Sequence, residues 1–196
     1  HGPIAFLPIG ENRSVLVFTA LADEANHYLG MSEEQYLETI ETEFGRRLGK
    51  IQKIGKRHSY PIFFVEAIQQ FQENLVLLGN SAHTIHPNAA QGFNLGLRDV
   101  AGLAECIYSA LEKKLSVDNI NILNAYLGLR NSDQQRVTEF TNGIATSFYN
   151  NSSLLTPITN TIMLLFDCIP EFKYLFLKRA MGLAGYQPRL VRGLNL

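Results

Sequence analysis

The feature that most constrains the fold is a short apolar run followed by an irregular stretch and a long helical repeat. Residues 75–78 are apolar and end at Gly79, as expected of a strand buried on both faces of a parallel sheet, although so short a run also fits a buried helix. After Gly92, apolar residues recur at helical spacing from Phe93 to Ile107. The predicted order is therefore strand, loop, helix.

A loop that leads into a helix N-terminus offers unpaired backbone N–H groups and the positive end of the helix dipole. An electron-rich ligand edge or a phosphate fits such a place. Gly92 and Gly96 let backbone approach a flat ligand, and the Asn94 amide both donates and accepts hydrogen bonds. Pro87 is expected to stiffen one wall of the loop.

The same stretch resembles a known motif. Gly79 to His83, Pro87, residues 91–96 and Asp99 look like the second flavin-binding motif of the FAD-dependent aromatic-ring hydroxylases, which share the para-hydroxybenzoate hydroxylase fold. The sequence TIHPNAAQGFNLGLRDV is most similar to the ubiquinone-biosynthesis branch of that family. The match covers about twenty consecutive positions, far more than a lone glycine-rich loop. Weaker similarity extends over most of the chain.

The resemblance implies which residues bind the cofactor, FAD. Asn80 stands where the family usually has an aspartate, so a contact to a hydroxyl survives while one that needs an anion does not. Because the cofactor performs the chemistry, we predict no catalytic side chain and no metal ligand. The predicted cofactor-binding residues are Gly79, Asn80, Ala82, Pro87, Gln91, Gly92, Phe93 and Asn94.

The implied function is that of an NAD(P)H- and FAD-dependent monooxygenase that hydroxylates a polyprenylated phenol ring in ubiquinone biosynthesis. Two alternatives remain open. A catalytically inactive assembly or binding protein of the same fold fits the change at Asn80, and another flavoenzyme, such as a prenyl reductase, fits the motif. Other ubiquinone-biosynthesis proteins, a second copy of the chain and a membrane surface are the partners that the resemblance leaves open.

The predicted fold class is α+β, within a parent fold that is α/β. Residues 1–67 are expected to be the end of a β-sheet substrate domain, 68–115 the returning part of a Rossmann-like FAD-binding domain, and 116–196 a C-terminal helical region. The family's first motif, G-x-G-x-x-G after a strand, does not occur in this chain. The chain starts at His1 and is therefore expected to be the C-terminal half of a longer protein.

Composition excludes several other classes. Seventeen basic and eighteen acidic residues give a net charge of −1, which provides no electrostatic footprint for nucleic acid. Two distant cysteines, Cys106 and Cys168, form neither a metal framework nor a disulfide scaffold, so a reducing, cytoplasmic location is expected. The longest fully apolar run, residues 162–166, is too short to cross a bilayer.

Local patterns predict the remaining elements. Residues 3–21 read as a hairpin, Ser32 and Gln35 as a capping box for a helix that continues to Leu48, and residues 61–67 as a returning strand. Asp118 or Asn119 is expected to cap a helix through Arg130 toward Phe148. Two further apolar helices are predicted at 156–166 and 172–181. They read either as a cap on the core or as a docking face for a membrane.

Three residues of the motif stretch carry alternative interpretations. His83 and His86 have a spacing that metal sites use, but no third ligand stands at a recognisable distance. Ser81 follows a strand without the G-x-S-x-G elbow of acyl-transfer enzymes. Asp99 reads equally as a surface or arginine-pairing carboxylate and as a support for a ligand.

Overall fold

Helices and short strands both occur along the chain, which confirms the predicted mixture of α and β structure. The computed structural model describes residues 2–87, 90–117, 119–149 and 168–196, and for 144–149 it describes the backbone alone. Contacts divide the chain into two units, His1–Ile62 and Phe63–Leu196. The assignment of three segments to parts of a larger fold stays a prediction.

The first unit begins with the predicted hairpin. Strand β1, Ile4–Gly10, pairs antiparallel with β2, Arg13–Phe18. Backbone φ angles are positive through the connecting turn, 90° at Gly10, 51° at Glu11 and 54° at Asn12. Since glycine and asparagine tolerate this region, the local sequence specifies the turn.

Two helices pack on one face of this hairpin. Helix α1, Ala25–Gly30, is followed by α2, Glu33–Phe44, and Ser32 forms the predicted capping box with Gln35. Helix α2 ends at Gly45, before the predicted Leu48, because Gly45 adopts a φ of 78°. The core of the unit is formed by buried Tyr28, Tyr36 and Ile40, against which Phe6, Leu16 and Phe18 pack.

The expectation of a buried parallel strand at residues 75–78 is wrong. Strand β5, Leu75–Val76, has two residues and pairs antiparallel with β4, Phe71–Gln72. The Leu75 side chain is 63% exposed. Glu73 adopts a φ of 49° between the two strands, so a tight local hairpin satisfies hydrogen bonds that a parallel neighbour was expected to satisfy.

The predicted strand over residues 61–67 is shorter than expected. Only β3, Val65–Glu66, is a strand, and it pairs antiparallel with β6, His83–Thr84. Ala67 continues this contact by donating its N–H to the Ala82 carbonyl at 2.8 Å. This pairing places the segment before the motif beside the turn of the motif.

Three α-helices lie in the part of the second unit that the structure describes. Helix α3, Gly92–Glu112, follows the motif as predicted, α4 is Ile120–Tyr149 and α5 is Pro170–Ala180. Asn119 caps α4 by accepting the Asn121 N–H at 2.9 Å, whereas Asp118 lies outside the described residues. The helix predicted at 156–166 also lies outside them, and the one predicted at 172–181 corresponds to α5.

Candidate functional site

The motif folds into a short turn that packs closely on α3. Residues Gly79–Ser81 form a 3₁₀ turn, in which Gly79 adopts a φ of 57°. A Cβ added to Gly96 would lie 3.2 Å from the Gly79 Cα. Gly96 therefore serves the contact between helix and turn, and its expected approach to a ligand stays a prediction. Gly92 does not need a positive φ, and a Cβ there would meet Ile85 at 3.7 Å.

The predicted cofactor-binding residues differ in how far they are exposed to solvent. Those whose side chains are exposed are Asn80, Pro87, Phe93 and Asn94. Gly79 and Gly92 are half-buried, while the side chains of Ala82 and Gln91 are buried. No contact of this structure tests the cofactor assignment, which stays a prediction.

The N-terminal end of α3 has the character expected of a site for an electron-rich group. Its N-cap residue, Gln91, makes no side-chain capping hydrogen bond, and the first turn contains no acidic residue. The Leu95 N–H donates to the Gln91 carbonyl within the helix. The N–H groups that come before it in the first turn have no acceptor inside the helix. Together with exposed Asn80, this end suits the hydrogen-bonding edge of a flavin ring.

Gln91 points into the protein instead of toward this end. Its Nε2 donates to the Arg179 carbonyl at 2.9 Å and to the Ala180 carbonyl, at the C-terminal end of α5. The side chain is 2% exposed. A contact from Gln91 to a cofactor would therefore come from its backbone.

A buried polar network lies beneath the motif turn. His83 Nε2 is 2.5 Å from Asp99 Oδ2, and Arg130 donates through Nε to Asp99 Oδ1 at 3.0 Å. Gln134 donates to the same oxygen at 3.1 Å. Asp99 and Arg130 are both fully buried, and these bonds replace water for the Asp99 carboxylate. The network joins β6, α3 and α4.

A second ion pair extends the network along α3 and α4. Arg98 Nε donates to Asp133 Oδ2 at 2.9 Å, and Arg130 Nη1 lies 2.8 Å from the same oxygen. Gln134 also accepts a hydrogen bond from Gln70 at 2.9 Å, which ties the β4–β5 hairpin to α4. Two arginines and two aspartates thus compensate each other in charge inside the unit.

Opposing effects act on the Asp99 carboxyl group. Burial disfavours its charged form, but the hydrogen bonds from His83 and Gln134 and the charge of Arg130 outweigh burial, so the pKa of Asp99 lies below its usual value. Burial and the Asp99 charge also raise the pKa of the nearby Tyr126 phenol. Asp99 therefore stays an anion within the network at neutral pH.

We expect Asp99 to make folding stability depend on pH in acid. Its folded-state pKa is depressed, so the carboxylate contributes stability above its unfolded pKa of about 4, and this contribution is lost as the pH falls through the folded value. In urea titrations below about pH 5, the free energy of unfolding should fall less steeply for Asp99→Asn than for wild type. Asp23→Asn, at an exposed position, is the control. An unchanged slope for Asp99→Asn would contradict the assignment.

The three residues with alternative interpretations all make contacts inside the protein. Asp99 pairs with an arginine, as one interpretation held, but it is buried and not at the surface. Ser81 donates its hydroxyl to the Leu78 carbonyl at 2.8 Å and so serves its own turn. His83 binds Asp99, and within the described ranges no three His, Cys, Asp or Glu residues are grouped to hold a metal ion.

Arg98, Arg130 and Asp133 are the residues of this site that sequence reasoning missed. Arg98 stands in a largely apolar stretch of α3, and a charged residue at such a position requires a buried partner, so a signal for Arg98 was present in the sequence. Arg130 and Asp133 stand in a polar stretch, residues 130–136, which does not mark them as buried. The identity of each partner was not present in the sequence, because Arg98 and Asp133 lie 35 residues apart on different helices.

Comparison with known proteins identifies relatives of the whole chain. The family described as FAD binding domain matches residues 1–141. The ubiquinone hydroxylase UbiL of Rhodospirillum rubrum is 34% identical over all of this chain and 46% of its own length. The 3-demethoxyubiquinol 3-hydroxylase of Escherichia coli is 30% identical over 93% of this chain and 46% of its own length.

A solved structure shares the fold. The probable FAD-dependent monooxygenase PqsL of Pseudomonas aeruginosa aligns with a TM-score of 0.62 and 23% identity, over 75% of this chain and 41% of its own. The chain spans about half the length of the curated relatives that it matches, 46% of one and 47% of another. Within the described residues, no helix combines the length and apolar character needed to cross a bilayer.

Proposed function

The chain belongs to the FAD binding domain family, and we propose that the whole protein is an FAD-dependent monooxygenase that hydroxylates the ring of a polyprenylated phenol in ubiquinone biosynthesis. The observation that carries the proposal is the turn at Gly79–Ser81, packed through Gly96 on a helix whose N-terminal end is uncapped. Relatives named ubiquinone hydroxylase and 3-demethoxyubiquinol 3-hydroxylase match over 100% and 93% of this chain.

The bound flavin supplies electron transfer and activation of dioxygen, with NAD(P)H as the proposed source of electrons. The chain's own residues hold and polarise the ring. Backbone N–H groups at Gly92, Phe93 and Asn94 would hold the electron-rich edge of the ring and would stabilise negative charge there. The Asn80 amide would hydrogen-bond a hydroxyl of the cofactor.

The function is tested with the purified whole protein. We expect flavin absorbance after purification, NAD(P)H oxidation that depends on a short-chain polyprenyl phenol, and a product that has gained one oxygen atom by mass spectrometry. A product that has gained hydrogen without oxygen would favour the prenyl reductase alternative. Binding of the phenol without turnover would favour the assembly protein.

We also propose that the second unit contacts an anionic membrane surface through α5, where a polyprenylated substrate resides. Residues 168–196 contain five basic residues and a single acidic one, although the whole chain has a net charge of −1. Exposed apolar residues accompany this charge, among them Tyr174, Leu175 and Leu177, which are 63%, 54% and 44% exposed. Apolar and basic residues together suit a headgroup boundary.

Vesicle co-sedimentation tests this contact. We expect the whole protein to bind phosphatidylglycerol vesicles. Leu175→Glu should reduce the bound fraction about tenfold, because a charged side chain would replace apolar area that the membrane buries. Leu111→Glu is the matched control, since Leu111 is 53% exposed on α3. Equal binding of wild type and Leu175→Glu would remove α5 from the proposal.

A further inference from the structure

The C-terminal segment runs along α3 and touches it at three points. Gln91 donates to the carbonyls of Arg179 and Ala180, and Glu105 accepts from Tyr186 Oη at 2.6 Å and from the Arg189 N–H at 3.0 Å. Between them, Arg98 lies against Gly182. We call residues 179–192 the C-terminal strap.

The three helix residues share one face of α3. Gln91, Arg98 and Glu105 are seven residues apart, so they stand above one another at intervals of about 10.5 Å. The strap follows the helix in the same direction, since successive strap residues meet successive helix residues. One continuous segment therefore fastens α3 over about 21 Å of its length.

The contact at Gly182 leaves little freedom between strap and helix. A Cβ at Gly182 would lie 2.5 Å from Arg98 Nη1, and Gly182 adopts a φ of 69° that favours glycine. Arg98 is itself fixed, because it is 4% exposed and bonded to Asp133. Gln187 closes the strap on itself by donating to the Gly182 carbonyl at 2.9 Å.

The strap begins beside the N-terminal end of α3, where the cofactor site is proposed to lie. Gln91 is the N-cap residue of α3, immediately before the backbone N–H groups of the first turn. Its side chain donates to a backbone carbonyl at the C-terminal end of α5. Because this bond fixes the residue before the first turn of α3, the orientation of that turn depends on the strap. Catalytic geometry requires such groups to be held by a supporting shell.

We infer that the C-terminal strap is a positioning element for the flavin site, and that Gln91 transmits the position of the strap to the N-terminal end of α3. Gln91, Glu105 and Tyr186 are positioning residues, and none of them touches the cofactor through its side chain. The inference rests on the proposed function, because it assigns the strap a role in flavin binding.

Variants at the far end of α3 separate positioning from direct contact. Glu105 lies about 21 Å along the helix from Gln91, so its side chain does not touch a flavin bound at the N-terminal end of α3. We expect Gln91→Met and Glu105→Ala to weaken FAD binding about tenfold, and Tyr186→Phe and Glu105→Gln, which keep part of the contact, to weaken it less. Glu112→Gln, on the same helix and exposed, is the matched control and should bind FAD like wild type.

The measurements are FAD affinity by fluorescence, the visible circular dichroism of the FAD-saturated whole protein, and the melting temperature of the apoprotein. A changed flavin dichroism in the Glu105 and Tyr186 variants supports positioning. An effect of Gln91→Met alone would overturn it in favour of direct contact. Lower melting temperatures with unchanged affinity and dichroism would overturn it in favour of a stabilising role. If wild type binds no FAD, the proposed function itself fails and the inference fails with it.

Discussion

Replacing Arg130 by methionine is expected to lower the free energy of unfolding by about 3 to 5 kcal/mol. Arg130 is fully buried and bonds Asp99 at 3.0 Å and Asp133 at 2.8 Å. Its removal leaves two buried carboxylates with fewer partners, and the cost of an uncompensated buried charge exceeds the loss of the bonds themselves. Urea unfolding followed by circular dichroism measures the change.

The same helix offers a matched control. Arg136 lies on α4, is exposed, and donates to Ser132 at 3.2 Å. Arg136→Met should change the free energy of unfolding by about 1 kcal/mol or less, as is usual for surface pairs. Similar losses for both variants would contradict a special role for the buried network.

A double variant tests which carboxylate carries the cost. In Arg130→Met the carboxylate of Asp99 keeps His83 and Gln134 as partners, while Asp133 keeps Arg98. Adding Asp99→Asn removes one of the two buried carboxylates that lost Arg130, so the double variant should be more stable than the sum of the single losses. Strict additivity would place the cost elsewhere in the network.

Local signals predicted the elements that depend on neighbouring residues. The capping box of Ser32 and Gln35, the turn at Gly10, and helix α3 after Gly92 each follow from side chains within a few positions of one another. Such features form wherever the chain carries the right residues, because their hydrogen bonds close within one turn.

Distant partners account for what the sequence did not predict. Residues 75–78 read as a buried strand because they are apolar, yet Leu75 is exposed and pairs in a local hairpin. Hydrophobicity alone does not say which strand lies alongside. Gln91 was predicted at the cofactor because of the motif, and its side-chain partner lies 88 residues away at Arg179.

The cofactor site shows the same division. The motif predicted that a turn comes before a helix. It did not predict why glycines occupy their positions in the motif. Gly96 was expected to admit a ligand, but it admits Gly79 of the same chain. A sequence indicates a close approach between two backbone segments only by small residues, and it does not say which segments meet. The contact between Gly96 and Gly79 therefore predicts that a larger side chain at position 96 pushes the turn away from α3.

Gly96→Val is expected to reduce FAD affinity of the whole protein about 100-fold, equivalent to about 2.7 kcal/mol. A Cβ at Gly96 would lie 3.2 Å from the Gly79 Cα, closer than an ordinary van der Waals contact, and valine adds two methyl groups to that Cβ. The turn at Gly79–Ser81 must move away from α3, and this displaces Asn80 relative to the first turn of the helix. Overpacking should also lower the free energy of unfolding by about 1 to 3 kcal/mol.

Two further variants separate this clash from the effect of valine on a helix. Gly128→Val introduces the same side chain into α4, where a Cβ meets nothing within 4 Å, and FAD affinity should stay at the wild-type level. Gly96→Ala adds only the Cβ, so its loss of affinity should lie between those of wild type and Gly96→Val. FAD fluorescence titration gives the affinities, and urea unfolding of the apoprotein gives the stability of each variant. Wild-type FAD affinity in Gly96→Val would show that the contact between Gly79 and Gly96 does not set the geometry of the flavin site.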